Sequence, residues 1–252
     1  MNSVPNLAFS IPTASESEQH DLFDRFADYG YTGLQLKGGQ YLTYLEEPDR
    51  FLRDWKSNAE LSLIFWGPLD SAGTARLRQA FRFANAVGAG TLIFCHALPR
   101  SEVHADDMPS IARQVSDLGE EAKSLGVTIS LHNHYDQPLM YPEDIAAFFE
   151  AATPGAVGLT LDTAHLVKSG VSDIAGVLRQ FRGVVDNIHL KDFADGEFRS
   201  LGQGEIEFAP FFTALKETQY QGPLCADEES GAGVLEGMTV ASRFIETLWT
   251  KS

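Results

Sequence analysis

Two cysteines in 252 residues leave no basis for a disulfide framework. Both Cys95 and Cys225 lie inside apolar, strand-like runs, where a buried reduced thiol is the ordinary state. Basic residues are also scarce, with 19 Lys and Arg against 35 Asp and Glu, a formal charge of −16. Nucleic-acid binding draws most of its affinity from Lys and Arg on phosphates, so no nucleic-acid partner is expected. No apolar run reaches the length that spans a bilayer. The first residues, Met1 to Asn6, lack a basic start followed by an apolar stretch, so no signal peptide and a cytoplasmic location are expected. Low-complexity stretches and interdomain linkers are missing too, and residues 1–252 are expected to form a single domain.

What is present is a steady alternation of short β-type runs and longer stretches of helical period. Strands are expected over 7–11, 31–36, 61–65, 90–94, 127–131, 157–161, 184–190 and 223–226. Helices are expected after a capping box at Thr13 to Glu16, over 47–59, 74–87 and 107–125, from Pro142, and near 174–181. Leu235, Met238, Ala241, Ile245 and Leu248, three or four apart, mark a closing helix. Residues 193–207 read as a long loop. Eight such alternations in a chain of this length fit a (β/α)₈ TIM barrel, an α/β fold whose chemistry sits at the carboxyl ends of its strands.

Those ends carry the chemistry-bearing residues. Four apolar runs stop at His132, Asp162, His189 and Asp227, each about one strand-plus-helix unit from the next. Five of the seven histidines, His96, His132, His134, His165 and His189, fall at or just after strand ends, while His20 and His104 read as surface residues. Residues two apart on a strand share a face, so His132 and His134 point together, as do His189 and Lys191, and Asp227 and Glu229. Imidazole and carboxylate in one place suit a divalent ion such as Mn²⁺, Zn²⁺, Co²⁺ or Fe²⁺, with Mg²⁺ as a further candidate, better than Ca²⁺. One metal held by His132, Asp162, His189 and Asp227 is the simplest reason to gather them, with Glu228 and Glu229 as alternatives at the last strand.

These residues resemble the xylose isomerase-like TIM barrels, a family that includes sugar phosphate isomerases and epimerases and endonuclease IV-type enzymes. The resemblance spans the barrel and is most specific from Gly126 onward. It rests on Leu131-His132-Asn133-His134, Asp162-Thr163-Ala164-His165, His189-Leu190-Lys191-Asp192 and the segment Gly202-Gln203-Gly204-Glu205-Ile206-Glu207-Phe208, which in the family shapes the loop over the substrate. Many of the family's epimerases carry a Glu where this chain has His132, and relatives often have a Glu near the strand-two position held here by Gln35. The His-Asn-His run resembles the subgroup that includes inosose dehydratase-like proteins.

The resemblance implies a metal-dependent sugar or sugar phosphate isomerase or epimerase, in which a proton leaves next to a carbonyl through a metal-stabilised enediolate. His134 or Glu229 would be the base, and Lys191 would stabilise or protonate oxygen. Lys37, Trp66, His96 and His165 are expected to line the substrate pocket, with Arg100 nearby. A dehydratase acting on a keto-polyol such as an inosose is the alternative. An endonuclease IV-like phosphodiesterase is disfavoured by the acidic balance. The expected partner is a small sugar or polyol, and self-association into a homo-oligomer stays open.

Overall fold

The computed structural model describes residues 6–251, so Met1 to Pro5, read above for a leader, lie outside it. Ten strands run β1 Leu7–Ser10, β2 Gly33–Leu36, β3 Glu60–Gly67, β4 Thr91–His96, β5 Thr128–His132, β6 Val157–Asp162, β7 Val185–Leu190, β8 Asp192–Ala194, β9 Glu197–Arg199 and β10 Leu224–Asp227. The helices are α1 Glu16–Arg25, α2 Gly38–Tyr41, α3 Pro48–Asp54, α4 Ser71–Val87, α5 Met108–Ser124, α6 Pro142–Ala151, α7 Thr163–Lys168, α8 Ile174–Phe181, α9 Phe208–Glu217 and α10 Val234–Lys251. Eight strands close a parallel barrel in the order β1-β10-β7-β6-β5-β4-β3-β2, the TIM barrel expected from the sequence. No helix among the described residues is long and apolar enough to cross a membrane.

Strand parity explains both sides of the barrel wall. Leu34, Leu36, Leu63, Phe65, Leu92, Phe94, Leu159 and Leu161 join the helices in one continuous core. Each such side chain contributes about 1.5–3 kcal/mol on burial. The intervening residues face the barrel axis and are small or polar: Gly33 and Gln35, Ser130 and His132, Thr160 and Asp162. Ile64, Ile93 and Cys95 form a separate apolar cluster there. The cavity-facing half of every strand is therefore free to carry chemistry, because the outer half supplies the packing.

Local differences from the sequence expectations have simple causes. The first helix is capped by Ser15 rather than Thr13: the Ser15 hydroxyl accepts from the Glu18 amide at 3.2 Å, and the Glu18 carboxylate accepts from the Ala14 amide at 2.6 Å. Helix α3 stops at Asp54, well short of 59, because Trp55 leaves helical geometry. Residues 193–207, expected as a loop, contain most of the β8–β9 hairpin, whose Asp195-Gly196 turn has positive φ at both residues, 53° and 82°. Helices α7 and α9 were not marked by a clear period in the sequence.

Candidate metal and substrate site

His132 and Asp162 are the last residues of β5 and β6, and the β6–β7 register sets Asp162 beside His189. His132 Nε2 lies 3.2 Å from His189 Nδ1 and 3.4 Å from Asp162 Oδ2, and His189 Nδ1 lies 3.7 Å from the same oxygen. This is the spacing of ligands held about 2.0–2.2 Å from one shared ion. The three side chains form a buried His-Asp-His group able to hold a metal.

Asp162 divides its oxygens between two tasks. Oδ1 accepts from the His165 amide at 2.9 Å and caps α7, while Oδ2 is buried without a hydrogen-bond partner. Its backbone is pinned by Asn133, whose Oδ1 accepts from the Asp162 amide and whose Nδ2 donates to the Asp162 carbonyl. A buried carboxylate oxygen that makes no hydrogen bond and faces two imidazole nitrogens, with an ammonium at 3.4 Å, is a set of ligand atoms suited to a cation. Burial pushes His132 down to about 4, against the opposing pull of Asp162, so its ring is neutral near pH 7 and offers a lone pair. The residues present therefore fit a divalent metal with mixed nitrogen and oxygen ligands.

Asp227, the fourth residue expected at the metal, has Oδ2 3.5 Å from His189 Nδ1, but both its oxygens are also engaged by ammonium groups. Lys37 Nζ is 2.6 Å from Oδ1 and Lys191 Nζ is 2.6 Å from Oδ2. The same lysines each reach Glu229 at 2.7 Å, and Lys191 lies 3.4 Å from Asp162 Oδ2. Burial alone would favour a neutral Lys191, but Asp162, Asp227 and Glu229 together hold its pKa well above the ordinary lysine value. Burial likewise opposes ionisation of Asp162 and Asp227, and the lysines and histidines outweigh it, leaving both well below the usual carboxylate range. Glu228 is buried and turned away, its Oε1 accepting from the Ser230 amide.

A cavity of about 200 Å³ opens over this cluster. His132, His134, His165, His189, Lys37, Lys191, Asp227, Glu229 and Trp66 all line it, and Ile64 and Cys95 supply an apolar patch. Trp66 is 55% exposed and sits at the rim, edge-on to His134 at 5.1 Å. The His134 and His165 rings lie 3.7 Å apart. Their tautomers follow from their partners. His134 Nδ1 faces the Tyr135 carbonyl at 2.6 Å and must donate, which leaves Nε2 with a lone pair. His165 Nδ1 accepts from the Tyr135 amide at 3.3 Å, which leaves Nε2–H as a donor.

His96 stands apart from this cavity. Its Nδ1 accepts from the Leu98 amide at 3.1 Å and its ring packs on Phe94 at 5.9 Å. Arg100 is likewise committed elsewhere, to Asp144 at 2.9 Å and the Pro138 carbonyl at 3.0 Å. His20 and His104 are exposed, as the sequence indicated. Burial pushes His96 down to about 4. Between its ordinary value near 6.5 and about 4 the unfolded chain binds a proton that the folded chain refuses, so stability falls as pH drops through that window. Replacing His96 with Asn, which keeps an acceptor for Leu98, is expected to remove one proton's share of that slope. This amounts to at most about 3 kcal/mol between pH 7 and pH 4. Urea midpoints of both proteins across that range test it; parallel curves would refute it.

The Gly202–Phe208 segment owes its shape to Asp192. That carboxylate accepts from the amides of Phe193, Gly202, Gly204 and Ile206 at 2.9–3.2 Å. Gly202 sits at φ 83°, and a Cβ at Gly204 would collide with the Asp192 carboxylate, so glycine is required at both. The neighbouring β8–β9 hairpin brings Phe198 over the site, 4.8 Å from Lys191 Nζ and 5.1 Å from the His165 ring.

Sequence reasoning missed Phe198, Asn133, and Gln35 as a partner of His189, whose Nε2 lies 2.8 Å from Gln35 Oε1. The Asp195-Gly196 pair was a hairpin signal for the first. Asn133 carried no such signal, because strand parity pointed it away from the site.

The sequence pattern of the family described as "Xylose isomerase-like TIM barrel" matches residues 23–243. An inosose dehydratase of Clostridium tetani is 29% identical over 163 residues, 56% of this chain and 54% of that protein. The chain thus matches about half the length of such curated relatives. Among solved structures, an L-ribulose 3-epimerase is similar with a TM-score of 0.78 at 18% identity, over 98% of this chain and 95% of that one. A D-allulose 3-epimerase from Methylomonas sp. is similar with a TM-score of 0.75 at 17% identity, over 99% and 98%. At such identities the structural likeness is one of fold, while the sequence match covers most of the chain: it belongs to the xylose isomerase-like TIM barrel family.

Proposed function

We propose that this protein is a divalent-metal-dependent sugar or sugar phosphate isomerase or epimerase that removes a proton next to a carbonyl. The observation that carries this reading is the buried His132, Asp162 and His189 group, whose Asp162 Oδ2 makes no hydrogen bond, set beside a protonated lysine under a polar cavity. His132, Asp162 and His189 would hold the ion, with Asp227 or Glu229 joining them if the lysines release it. Bound there, Mn²⁺, Zn²⁺, Co²⁺ or Fe²⁺ would act as a Lewis acid toward neighbouring substrate oxygens.

The remaining work falls to side chains of the chain itself. His134 is the better base: burial lowers its pKa, so it is neutral near pH 7, and its Nε2 lone pair is free. Glu229 is held low by Lys191 and Lys37 despite its burial and the nearby Asp227, which makes it the weaker base. The C–H proton passes to His134 Nε2 and its electron pair moves toward the carbonyl oxygen. There the Lys191 ammonium can offset the developing charge. His165 Nε2–H would hold a substrate hydroxyl, and Trp66 and Lys37 would border the substrate. Return of the proton to carbon gives an isomer or epimer.

A second reading is water elimination from a keto-polyol, in which a neighbouring hydroxyl leaves with a proton. It is favoured by the His-Asn-His run, by the inosose dehydratases among the relatives, and by Lys191, an ammonium placed to assist a departing oxygen. Both readings share the first step and separate in the product. Metal-loaded protein incubated in D₂O with ketopentoses, ketohexoses, their phosphates and keto-inositols would be followed by mass spectrometry. Deuterium on carbon with no other change in mass supports isomerisation, loss of water supports the lyase, and no exchange with any of these substrates sinks the shared step.

A further inference from the structure

The β6–β7 register slips between Leu159 and Thr160, so that Leu159 pairs with Val185 but Thr160 pairs with Asn187. The extra residue is Asp186. This bulge lets two consecutive side chains, Asp186 and Asn187, both reach the interior of the barrel. Asp186 enters over Gly158, where any Cβ would collide with its carboxylate. From there a continuous hydrogen-bond chain climbs the barrel to the candidate metal site.

Its direction can be read from the groups that have no choice. The Ser130 hydroxyl donates to Asp186 Oδ1. Ser130 Oγ and Thr160 Oγ1 are 2.6 Å apart, so with the Ser130 proton committed, Thr160 donates to Ser130. Asn187 Nδ2 donates to Thr160 Oγ1 at 3.2 Å, and Asn187 Oδ1 accepts from Gln35 Nε2 at 2.7 Å. Gln35 Oε1 is left facing His189 Nε2 at 2.8 Å and also accepts from Asn187 Nδ2 at 3.3 Å. An amide oxygen can only accept, so the His189 proton is on Nε2 and the Nδ1 lone pair faces His132 and Asp162. Reversing the chain would require both amides to flip and Asp186 to become a donor, which an ionised carboxylate cannot be.

We propose that Gln35 and Asn187 are positioning residues that hold His189 in the Nε2–H tautomer, and that the Asp186 carboxylate sets the direction of the chain that orients them. The inference rests on the reading of His189 Nδ1 as a metal ligand. A metal-bound imidazole commonly donates its other N–H to a fixed acceptor, which sets the ring's orientation and basicity. Here that acceptor is held by a second amide and, through two hydroxyls, by a carboxylate at the far end of the barrel. The groups facing Asp186 are the Ser130 hydroxyl on β5, the Gly158 backbone on β6 and the Tyr220 phenol before β10. Burial, opposed by the Ser130 hydrogen bond, pushes the Asp186 carboxyl up to about 6, so it is mainly ionised at neutral pH.

The test is imidazole ¹⁵N NMR on the metal-free protein, joined to Zn²⁺ affinity by chelator competition. Wild type is expected to show His189 protonated at Nε2 alone. Gln35→Glu, whose carboxylate can only accept, is expected to keep that pattern. Gln35→Leu is expected to give mixed tautomers and Zn²⁺ binding about 10- to 100-fold weaker. Asp186→Asn, five hydrogen bonds from the ring, is expected to shift His189 partway toward the mixture. An Nδ1–H tautomer in folded wild type, or an unchanged His189 spectrum in folded Gln35→Leu, overturns the proposal. An unchanged spectrum in Asp186→Asn overturns the part assigned to Asp186. Wild type that takes up no Zn²⁺, Mn²⁺ or Co²⁺ overturns the metal reading instead, and the metal-free spectrum then still decides the hydrogen-bond chain.

Discussion

Asp162→Asn is expected to strip the protein of bound divalent metal, weakening affinity by more than about 100-fold and turnover by about 1,000-fold or more, with a modest loss of thermal stability. The expectation follows from the division of labour between the two oxygens. Oδ1 caps α7 through the His165 amide, and an Asn side chain can keep that bond. Oδ2 faces His132, His189 and Lys191 with no hydrogen-bond partner, and an NH₂ in its place would be a donor aimed at an ammonium group. Asp162→Ala should add about 1 kcal/mol of instability by removing the cap as well, so the pair of variants separates cap from ligand.

The pH profile offers a second check on the same residue. Asp162 has a folded pKa well below its ordinary 3.8, so it contributes stability above about 3.8 that is lost as pH falls through the folded value. The Asn variant should lack that part of the acid transition. Metal content after equilibrium dialysis and urea midpoints from pH 2 to pH 7 are the measurements. If Asp162→Asn and His189→Ala both retain their metal, the ion is held elsewhere.

The barrel and the candidate site were legible because the outer half of the strands is apolar, while the inner half is mostly small or polar apart from Ile64, Ile93 and Cys95. Leu131-His132 and Leu161-Asp162 announce both the wall and the residue that ends it. Parity carried more information than the ends of the runs alone. Ile93 and Cys95 face inward and Phe94 outward, so His96, two residues beyond Phe94, belongs with the outer face, where the structure packs it. Asn187 precedes His189 by two residues and shares its face, which made it readable in principle as a neighbour of Gln35 across the barrel.

Other features depend on three-dimensional closeness that no local pattern encodes. The bulge that turns Asp186 inward exists only as a register shift between two strands. The meeting of Lys37, the residue after β2, with Asp227 and Glu229 at and beyond the end of β10 arises because the barrel closes, with β1 between those two strands. Long side chains from distant strands can thus redefine a residue that parity had assigned to a metal.

Lys191→Met should destabilise the metal-free fold by about 3–5 kcal/mol at neutral pH, because it removes one partner from a buried charge cluster. The ammonium, 2% exposed as a side chain, lies within 2.6–3.4 Å of Asp227, Glu229 and Asp162. Lys37 can still serve Asp227 and Glu229, but Asp162 Oδ2 would lose its ammonium neighbour and keep only imidazoles, with His132 held neutral by burial. Its carboxyl should then rise above its unfolded value. The sign of its pH linkage would invert: the variant loses stability as pH rises from about 3.8 toward the raised folded value, whereas wild type gains stability from this group as pH rises to about 3.8 and is level above it. At the alkaline end wild type carries the opposite liability: Lys191, raised well above 10.5, contributes stability below about 10.5 that is lost above its folded value, and the variant has no such loss. A divalent cation would replace the missing positive charge, so adding Zn²⁺ should raise the Tm of Lys191→Met more than that of wild type. Turnover should stay at least about 100-fold down even when metal is saturating, because the charge proposed to offset the developing oxyanion would be gone. Equal stability of the two proteins from pH 5 to pH 8 without metal would show that the ammonium is not what keeps these carboxylates ionised.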